Sequence, residues 1–125
     1  MAQVKKGTCH CGAVKFEVTL EGAIQKGARC NCSLCRRKGA VMALVPLENV
    51  KIMQGEDKLT LYQWNLKLAK HYFCSVCGIY THHQRRSDPD GCGFNVACLE
   101  DVDPYAIEEI TMVDGASLSL AEEAS

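Results

Sequence analysis

The sequence predicts a mainly β domain of short, mostly antiparallel strands joined by tight turns. Apolar and polar residues alternate along 13–20, which places Val14, Phe16, Val18 and Leu20 on one face, as in a half-buried strand. Ten glycines separate this run from similar ones along the chain. Helical periodicity is scarce by comparison. These observations together favour a sheet-based core over a helical one.

The remaining elements follow from the same signals. Residues 32–38 are expected to form one or two helical turns, and 103–106 a short turn that Asp103 caps and Pro104 begins. The other predicted strands, of which the first is the most deeply buried, are 41–47, 59–64, 70–73, 79–84 and 94–97.

Length and charge limit the classes of function. A chain of 125 residues, 47% of them hydrophobic, suits one domain with a small core. Lys plus Arg is 14 and Asp plus Glu is 15, a balance that favours neither nucleic acid nor an anionic membrane. No apolar run is long enough for a membrane span, and no secretory signal is recognisable, so we expect a cytoplasmic protein. Residues 1–114 are expected to form the domain and 115–125, small and acidic, to fray.

The nine cysteines are the most informative residues. Seven of them stand in C-x-C or C-x-x-C spacings, where a disulfide would close a small strained ring. An odd number also leaves one thiol unpaired in any disulfide framework, and a reducing compartment keeps thiols free. Metal binding is therefore the better interpretation and a disulfide framework the alternative. The cysteines are Cys9, Cys11, Cys30, Cys32, Cys35, Cys74, Cys77, Cys92 and Cys98.

One predicted zinc site combines two distant pairs. Cys9 and Cys11 form the first pair, Cys74 and Cys77 the second, and a glycine follows each. Four thiolates complete the tetrahedron that structural zinc prefers, and a glycine lets backbone amides turn toward the sulfurs. Such a site would join the N-terminal strand to a central hairpin and add folding free energy. The alternative is four buried free cysteines.

A second predicted zinc site is the run of Cys30, Cys32 and Cys35. Three protein ligands and one open position are typical of a reactive zinc. The basic residues that follow, Arg36, Arg37 and Lys38, would offset the thiolate charge, and the two guanidinium groups would hold carboxylates of a ligand. A solvated basic face is the alternative for them. The cluster itself would be structural if it were closed by one of Cys92, Cys98, His10, His71, His82 and His83.

Weaker features surround these motifs. His82 and His83 lie on a predicted strand, so they should point to opposite faces and at most one should reach a site. Cys92 and Cys98 stand outside any ligand spacing and are interpreted as ordinary buried thiols. The segment 84–86, Gln-Arg-Arg, would be either a basic rim of the open site or plain surface.

The order of the motifs resembles that of a known family. C-x-C-G at 9–12, C-x-C-x-x-C-R-R at 30–37 and F-C-x-x-C-G at 73–78 are similar to the glutathione-dependent formaldehyde-activating enzymes, a family that includes centromere-protein-V-like proteins. The resemblance covers roughly residues 5–112. One departure is Asn31, where many members have a histidine; its amide forms hydrogen bonds but is no acid or base near neutral pH.

The resemblance implies a fold, two metal sites and a reaction. The fold is the β-tent of the Mss4-like zinc proteins. The four paired cysteines would hold a structural zinc, and Cys30, Cys32 and Cys35 a catalytic one. The reaction is that of a carbon–sulfur lyase, S-(hydroxymethyl)glutathione synthase, which joins glutathione reversibly to formaldehyde. The alternatives are a related enzyme acting on another thiol and small electrophile, and a zinc-stabilised protein-binding module without catalysis.

Overall fold

The structure is a computed structural model that describes residues 2–63, 69–85 and 90–114. These residues form a mainly β domain with one short helix, α1 (Ser33–Lys38). Short 3₁₀ turns occupy Leu47–Asn49, Glu56–Lys58, Val96–Cys98 and Pro104–Ala106. The strands are β1 (Gln3–Thr8), β2 (Lys15–Leu20), β3 (Lys26–Cys30), β4 (Met42–Pro46), β5 (Val50–Gln54), β6 (Leu59–Tyr62), β7 (Lys70–Cys74), β8 (Tyr80–Gln84), β9 (Gly91–Asn95) and β10 (Glu109–Val113).

Two sheets make up the domain. The smaller sheet has the order β1-β2-β5 and the larger the order β10-β3-β4-β9-β8-β7-β6. Paired strands are antiparallel, with β10 and β3 as the parallel exception. The prediction of a mainly β, mostly antiparallel domain is confirmed.

The core forms where the inward face of β2 meets the larger sheet. Phe16, Val18 and Leu20 pack with Phe94 and Val96, and all five are buried. Each such side chain contributes about 2 kcal/mol by leaving water, which is why strict alternation along β2 fixes its register. Val14, at the start of the same face, is buried in a separate group with Cys9 and Cys74.

Strand β8 is covered on both faces, and this buries both of its histidines. His82 stacks on Tyr72 with ring centroids 4.8 Å apart, whereas His83 stacks on His71 at 5.2 Å. The two side chains therefore lie in different environments on opposite faces of β8, as expected for consecutive residues of a strand. His82 lies toward Phe16 and the core, with ring centroids 6.4 Å apart.

Two short elements form as expected. Helix α1 begins after Cys32, whose sulfur accepts a hydrogen bond from the Cys35 amide, and ends at Gly39 in the left-handed conformation. Asp103 caps the turn at Pro104–Ala106 through its carboxylate, which accepts from the Tyr105 amide.

The strand predicted at 94–97 was placed wrongly. The strand is β9, which begins at Gly91, and the chain leaves it at Val96 because the Asn95 side chain accepts a hydrogen bond from the Ala97 amide and starts a 3₁₀ turn. Strands β1, β3, β5 and β10 were not predicted. Position 64 of the strand predicted at 59–64, Arg86 and the tail 115–125 lie outside the described residues.

No helix within the described ranges is long and apolar enough to cross a membrane.

Candidate metal centres and ligand cavity

The first cysteine cluster joins two turns that lie far apart in sequence. Cys9, Cys11, Cys74 and Cys77 bring their sulfurs within 4.8 Å of one another. Cys9 and Cys11 follow β1, and Cys74 ends β7, so the cluster connects the smaller sheet to the larger. The predicted partnership of the two pairs is thus present in the structure.

Both turns have the backbone shape that the glycines were expected to allow. Gly12 and Gly78 adopt positive φ angles of 83° and 79°. Each turn also directs an amide at a sulfur: Val14 donates to Cys9 Sγ at 3.3 Å and Val76 to Cys74 Sγ at 3.4 Å. Amide donors stabilise a sulfur in its thiolate form, which is the form that binds metal.

The sulfur spacing fits a tetrahedral ion. Zn–S bonds of about 2.3 Å in a tetrahedron place the sulfurs about 3.8 Å apart. The distances from Cys11 Sγ are 3.7 Å to Cys9 Sγ and 3.8 Å to Cys74 Sγ. The four thiols can therefore hold a metal ion of this size with little rearrangement.

The second cluster lies where β3 passes into α1. Cys30 ends β3, Cys32 caps the helix and Cys35 is on its first turn, and the three sulfurs lie within 4.8 Å of one another. Backbone amides again donate to sulfur, from Cys32 to Cys30 Sγ at 3.5 Å and from Cys35 to Cys32 Sγ at 3.3 Å. All three side chains are buried.

Charge sharing among these thiols favours a bound cation. Hydrogen bonds from the Cys30 and Cys35 thiols lower the pKa of Cys32, and the same contacts raise the pKa of Cys30 and of Cys35. Three buried thiols this close ionise together only when a positive charge compensates them. A divalent metal would supply that compensation.

No cysteine or histidine of the chain joins the second cluster as a fourth member. All of these residues lie in the described part of the chain, and the group comprises only Cys30, Cys32 and Cys35. The six candidates for a closing ligand, Cys92, Cys98, His10, His71, His82 and His83, stand apart from it. All nine cysteines are free, so no disulfide framework is present.

The three basic residues after the second cluster have different environments. Arg36 and Arg37 are exposed, and Arg37 Nη1 donates to the Ser33 carbonyl oxygen at 2.7 Å. Lys38 instead turns inward: its Nζ lies 3.1 Å from His71 Nδ1 and 3.7 Å from the centre of the Tyr80 ring. Burial lowers the pKa of Lys38, and the three nearby thiols oppose that shift.

Lys38 belongs to a closed ring of four side chains. The ammonium donates to His71, His71 stacks on His83, His83 Nδ1 is hydrogen-bonded to the Tyr80 hydroxyl at 2.5 Å, and the Tyr80 ring lies under the ammonium. Burial, followed by the charge of Lys38, lowers the pKa of His71 to about 4. His71 is therefore neutral and accepts at Nδ1. Sequence reasoning did not find this group, because its members come from α1, β7 and β8.

A cavity of about 310 Å³ lies beside this group. Leu34, Lys38, His71 and Tyr80 line it, and Leu34 and Tyr80 also pack against the second cluster. The cavity is therefore separated from the three sulfurs by the thickness of one side chain. A larger groove of about 590 Å³ runs along β3 and β4. No cysteine lines either space, but Lys38, His71 and Tyr80 line the smaller cavity and not the groove, so we regard the smaller cavity as the chemically relevant one.

Asn31, between the first two cysteines of the second cluster, contacts the end of β10. Its side-chain amide donates to Asp114 Oδ1 at 3.0 Å, and its backbone amide donates to the Val113 carbonyl oxygen at 3.1 Å. Val113 also pairs with Cys30 in the parallel ladder. Asn31 thus joins the loop of the second cluster to the end of β10.

A mainly β domain with two separate thiol clusters, each able to hold a metal ion, is typical of cysteine-rich metal-binding proteins. Within that class, the sequence profile of the glutathione-dependent formaldehyde-activating enzymes matches residues 4–113. The chain belongs to this family, and the resemblance read from the motifs is confirmed.

Relatives give the same family. A Penicillium rubens protein is 24% identical over 105 residues, covering 81% of this chain and 54% of the relative. A Halomonas elongata protein is 30% identical over 80 residues, covering 58% and 50%. Both are provisionally named glutathione-dependent formaldehyde-activating enzymes. The chain spans about half the length of these relatives.

A solved structure shares the fold. The crystal structure of a Rhodobacter sphaeroides protein is 51% identical to the chain, covers 86% of this chain and 99% of its own, and superposes with a TM-score of 0.82. That likeness extends the shared architecture over most of the domain.

Proposed function

We propose that the protein is a zinc-dependent carbon–sulfur lyase of the S-(hydroxymethyl)glutathione synthase type, which joins a thiol such as glutathione to formaldehyde or a related small electrophile. The observation that supports this most directly is the cluster of Cys30, Cys32 and Cys35, which has three sulfurs, no fourth cysteine or histidine, and a cavity beside it. A purely structural site would be closed by four protein ligands.

Zinc is the metal that suits both clusters. All-thiol donor sets select soft or borderline metals, and the sulfur spacing in the first cluster fits a tetrahedron. Cys9, Cys11, Cys74 and Cys77 would hold a structural zinc that joins the two sheets. Free thiols in both clusters require a reducing compartment, which supports a cytoplasmic location for the domain at 1–114.

The reaction needs few groups from the chain. Zinc bound to Cys30, Cys32 and Cys35 would lower the pKa of an incoming thiol, so that the thiol binds as a thiolate. The thiol sulfur then forms a bond to the carbonyl carbon, the C=O π bond breaks, and the oxygen takes up the proton that the thiol released. Because the reactants are held side by side, proximity supplies most of the acceleration.

The basic residues would have two different electrostatic roles. Lys38, half-buried beside the cluster, would offset the negative charge of three thiolates on one divalent ion. Arg36 and Arg37 extend from the exposed face of α1, where their guanidinium groups would bind the carboxylates of glutathione.

Exchange NMR tests the proposal. Purified zinc-loaded protein is mixed with glutathione and formaldehyde, and the interconversion rate of free glutathione and its hydroxymethyl adduct is measured at several protein concentrations. The rate should rise in proportion to protein. A rate equal to that without protein would refute catalysis and leave the binding-module alternative.

Two serine variants locate the activity. Cys35→Ser should remove the acceleration and one zinc, because the second cluster loses a ligand. Cys92→Ser is the matched control: its thiol is buried but belongs to neither cluster, so it should retain two zinc ions and the activity. Thermal unfolding of both variants separates a lost site from a lost fold.

A further inference from the structure

The cavity beside the second cluster is larger and more apolar than formaldehyde requires. Four aromatic residues, Tyr62, Tyr72, Phe73 and Tyr80, line it together with Leu34. Its volume of about 310 Å³ is about ten times the ~30 Å³ that a water molecule occupies, so formaldehyde would leave most of it unfilled. Cavities of this size accommodate a ring or a branched chain.

Its charged lining is a single ammonium group. Among the described residues that line the cavity, Lys38 is the one cation and there is no carboxylate. A ligand with two carboxylates and its own ammonium, such as glutathione, does not match that lining. The exposed side of α1, where Arg36 and Arg37 lie, suits such a ligand better. The cavity is thus left for the other reactant.

The ammonium is held in place before any ligand arrives. His71 Nδ1 accepts one of its hydrogens at 3.1 Å, and the Tyr80 ring lies 3.7 Å below it. The Tyr80 hydroxyl is in turn fixed by His83. Because both of its contacts are made by buried groups, Lys38 loses little conformational entropy when it donates a remaining hydrogen to a ligand.

A second donor beside Lys38 lacks a partner. Since His71 accepts at Nδ1, its Nε2 carries the hydrogen. That atom is buried and has no hydrogen-bond partner among the described residues, although His71 lines the cavity and is 3% exposed. A buried donor without a partner costs about 1–3 kcal/mol, and a small rotation of the ring toward the cavity would let an oxygen atom there accept its hydrogen.

We infer that this cavity binds an apolar carbonyl compound, an aryl or alkyl aldehyde, with its oxygen held by Lys38 and His71 and its substituent packed against the aromatic walls. The inference rests on the proposed function for the reaction itself. In that reaction the thiol sulfur bonds to the carbonyl carbon, the π electrons move to oxygen, and the thiol proton ends on that oxygen as a hemithioacetal hydroxyl. Lys38 stabilises the negative charge that develops there.

Binding is tested with a carbonyl compound that does not react with thiols. Benzamide is titrated into the zinc-loaded protein, and the Leu34 methyl and Tyr80 ring signals are followed by NMR. We expect saturable shifts with a Kd of about 1 mM, and formamide, which lacks the ring, should cause none at the same concentrations. Benzylammonium should bind more weakly than benzamide, because its charge opposes that of Lys38. This ligand series needs no variant.

A lysine variant tests the oxygen contact. Lys38→Met should weaken benzamide about tenfold or more, and the exposed Lys51→Met should leave the Kd unchanged. Benzamide shifts that are absent, or equal in the wild type and Lys38→Met, would overturn the inference. Zinc content and thermal unfolding confirm that Lys38→Met is folded.

Turnover separates this inference from the proposed function. With glutathione, phenylacetaldehyde should be accelerated more than formaldehyde, relative to each uncatalysed rate. Acceleration of formaldehyde without benzamide binding would refute the cavity assignment alone. Benzamide binding without any acceleration would support the cavity assignment and refute the lyase.

Discussion

Gly93 is the position at which one added methyl group should disturb the ring of side chains around Lys38. Gly93 lies in β9, directly opposite His83 in the antiparallel ladder. A Cβ placed there would stand 2.8 Å from Nε2 and 2.9 Å from Nδ1 of the His83 ring, and closer still to Cε1. Ordinary contacts are about 3.5–4.0 Å, so the ring must move by roughly 1 Å.

The expected cost of Gly93→Ala follows from what His83 loses. Overpacking of a buried site costs about 1–3 kcal/mol. Displacement of the ring also weakens its hydrogen bond to the Tyr80 hydroxyl, and an unsatisfied buried hydroxyl costs about 1–3 kcal/mol. Alanine has less conformational entropy than glycine in the unfolded chain, and this difference offsets about 0.5–1 kcal/mol of the cost. The free energy of unfolding should therefore fall by about 3 kcal/mol.

A double-mutant cycle in urea gives the measurement. Gly93→Ala is made in the wild type and in His83→Ala, all proteins being held in excess zinc. With the ring absent the added methyl group has room, so Gly93→Ala should cost less than about 0.5 kcal/mol in that background. Gly22→Ala, where nothing lies within 4 Å of an added Cβ, is the control. Equal costs of Gly93→Ala in both backgrounds would refute the reasoning.

Three further predictions address the metal, pH and a turn. Cys74→Ser should lower bound zinc from two ions to one per chain by elemental analysis and reduce the free energy of unfolding by several kcal/mol; retention of two ions would contradict it. Burial lowers the pKa of His82 to about 4, so its neutral form stabilises the fold above about pH 6.5 and that stability is lost as the pH falls toward 4. Between pH 7 and 5 the wild type should lose about 2 kcal/mol more than His82→Phe in urea unfolding, and parallel curves would exclude this linkage. Gly39→Ala and Gly55→Ala both force alanine to positive φ, at about 1–2 kcal/mol. Gly55→Ala should lower the free energy of unfolding by at least about 1 kcal/mol more than Gly39→Ala, because its Cβ would also clash with backbone next to the first cluster. Similar costs for the two variants in thermal or urea unfolding would argue against that clash.

The sequence predicts strands in which apolar and polar residues alternate. It misses strands that form because of the strands beside them in the sheet. The alternation along 13–20 identifies β2 because one face of that strand meets the core. Strand β9 is misplaced because its first residues, Gly91, Cys92 and Gly93, show no alternation of polarity. Glycine is there to admit the His83 ring, which is a requirement of the adjacent strand. Strand β10 is mostly exposed and exists because it pairs with β3.

The candidate site divides in the same way. Both cysteine clusters were found from local spacing, since two or three ligands on one turn are visible in the sequence. Lys38 was grouped with Arg36 and Arg37, although α1 turns it toward the interior while the two arginines face solvent. His71, from β7, completes its environment, and no local pattern connects residues on separate elements. Longer-range contacts of this kind become visible only when the sheet order is known.

The parallel ladder between β3 and β10 has a consequence for biosynthesis. All four thiols of the first cluster have been translated once residue 77 is added, whereas the edge of β3 that faces β10 is covered only when residue 113 has been made. A nascent chain would therefore complete its four-thiol centre while β3, which carries Cys30, is still paired with β4 alone. Maturation of the three-thiol centre should therefore depend on a strand that is translated long after its own cysteines, so that translation interrupted before residue 109 would leave β3 with one open edge.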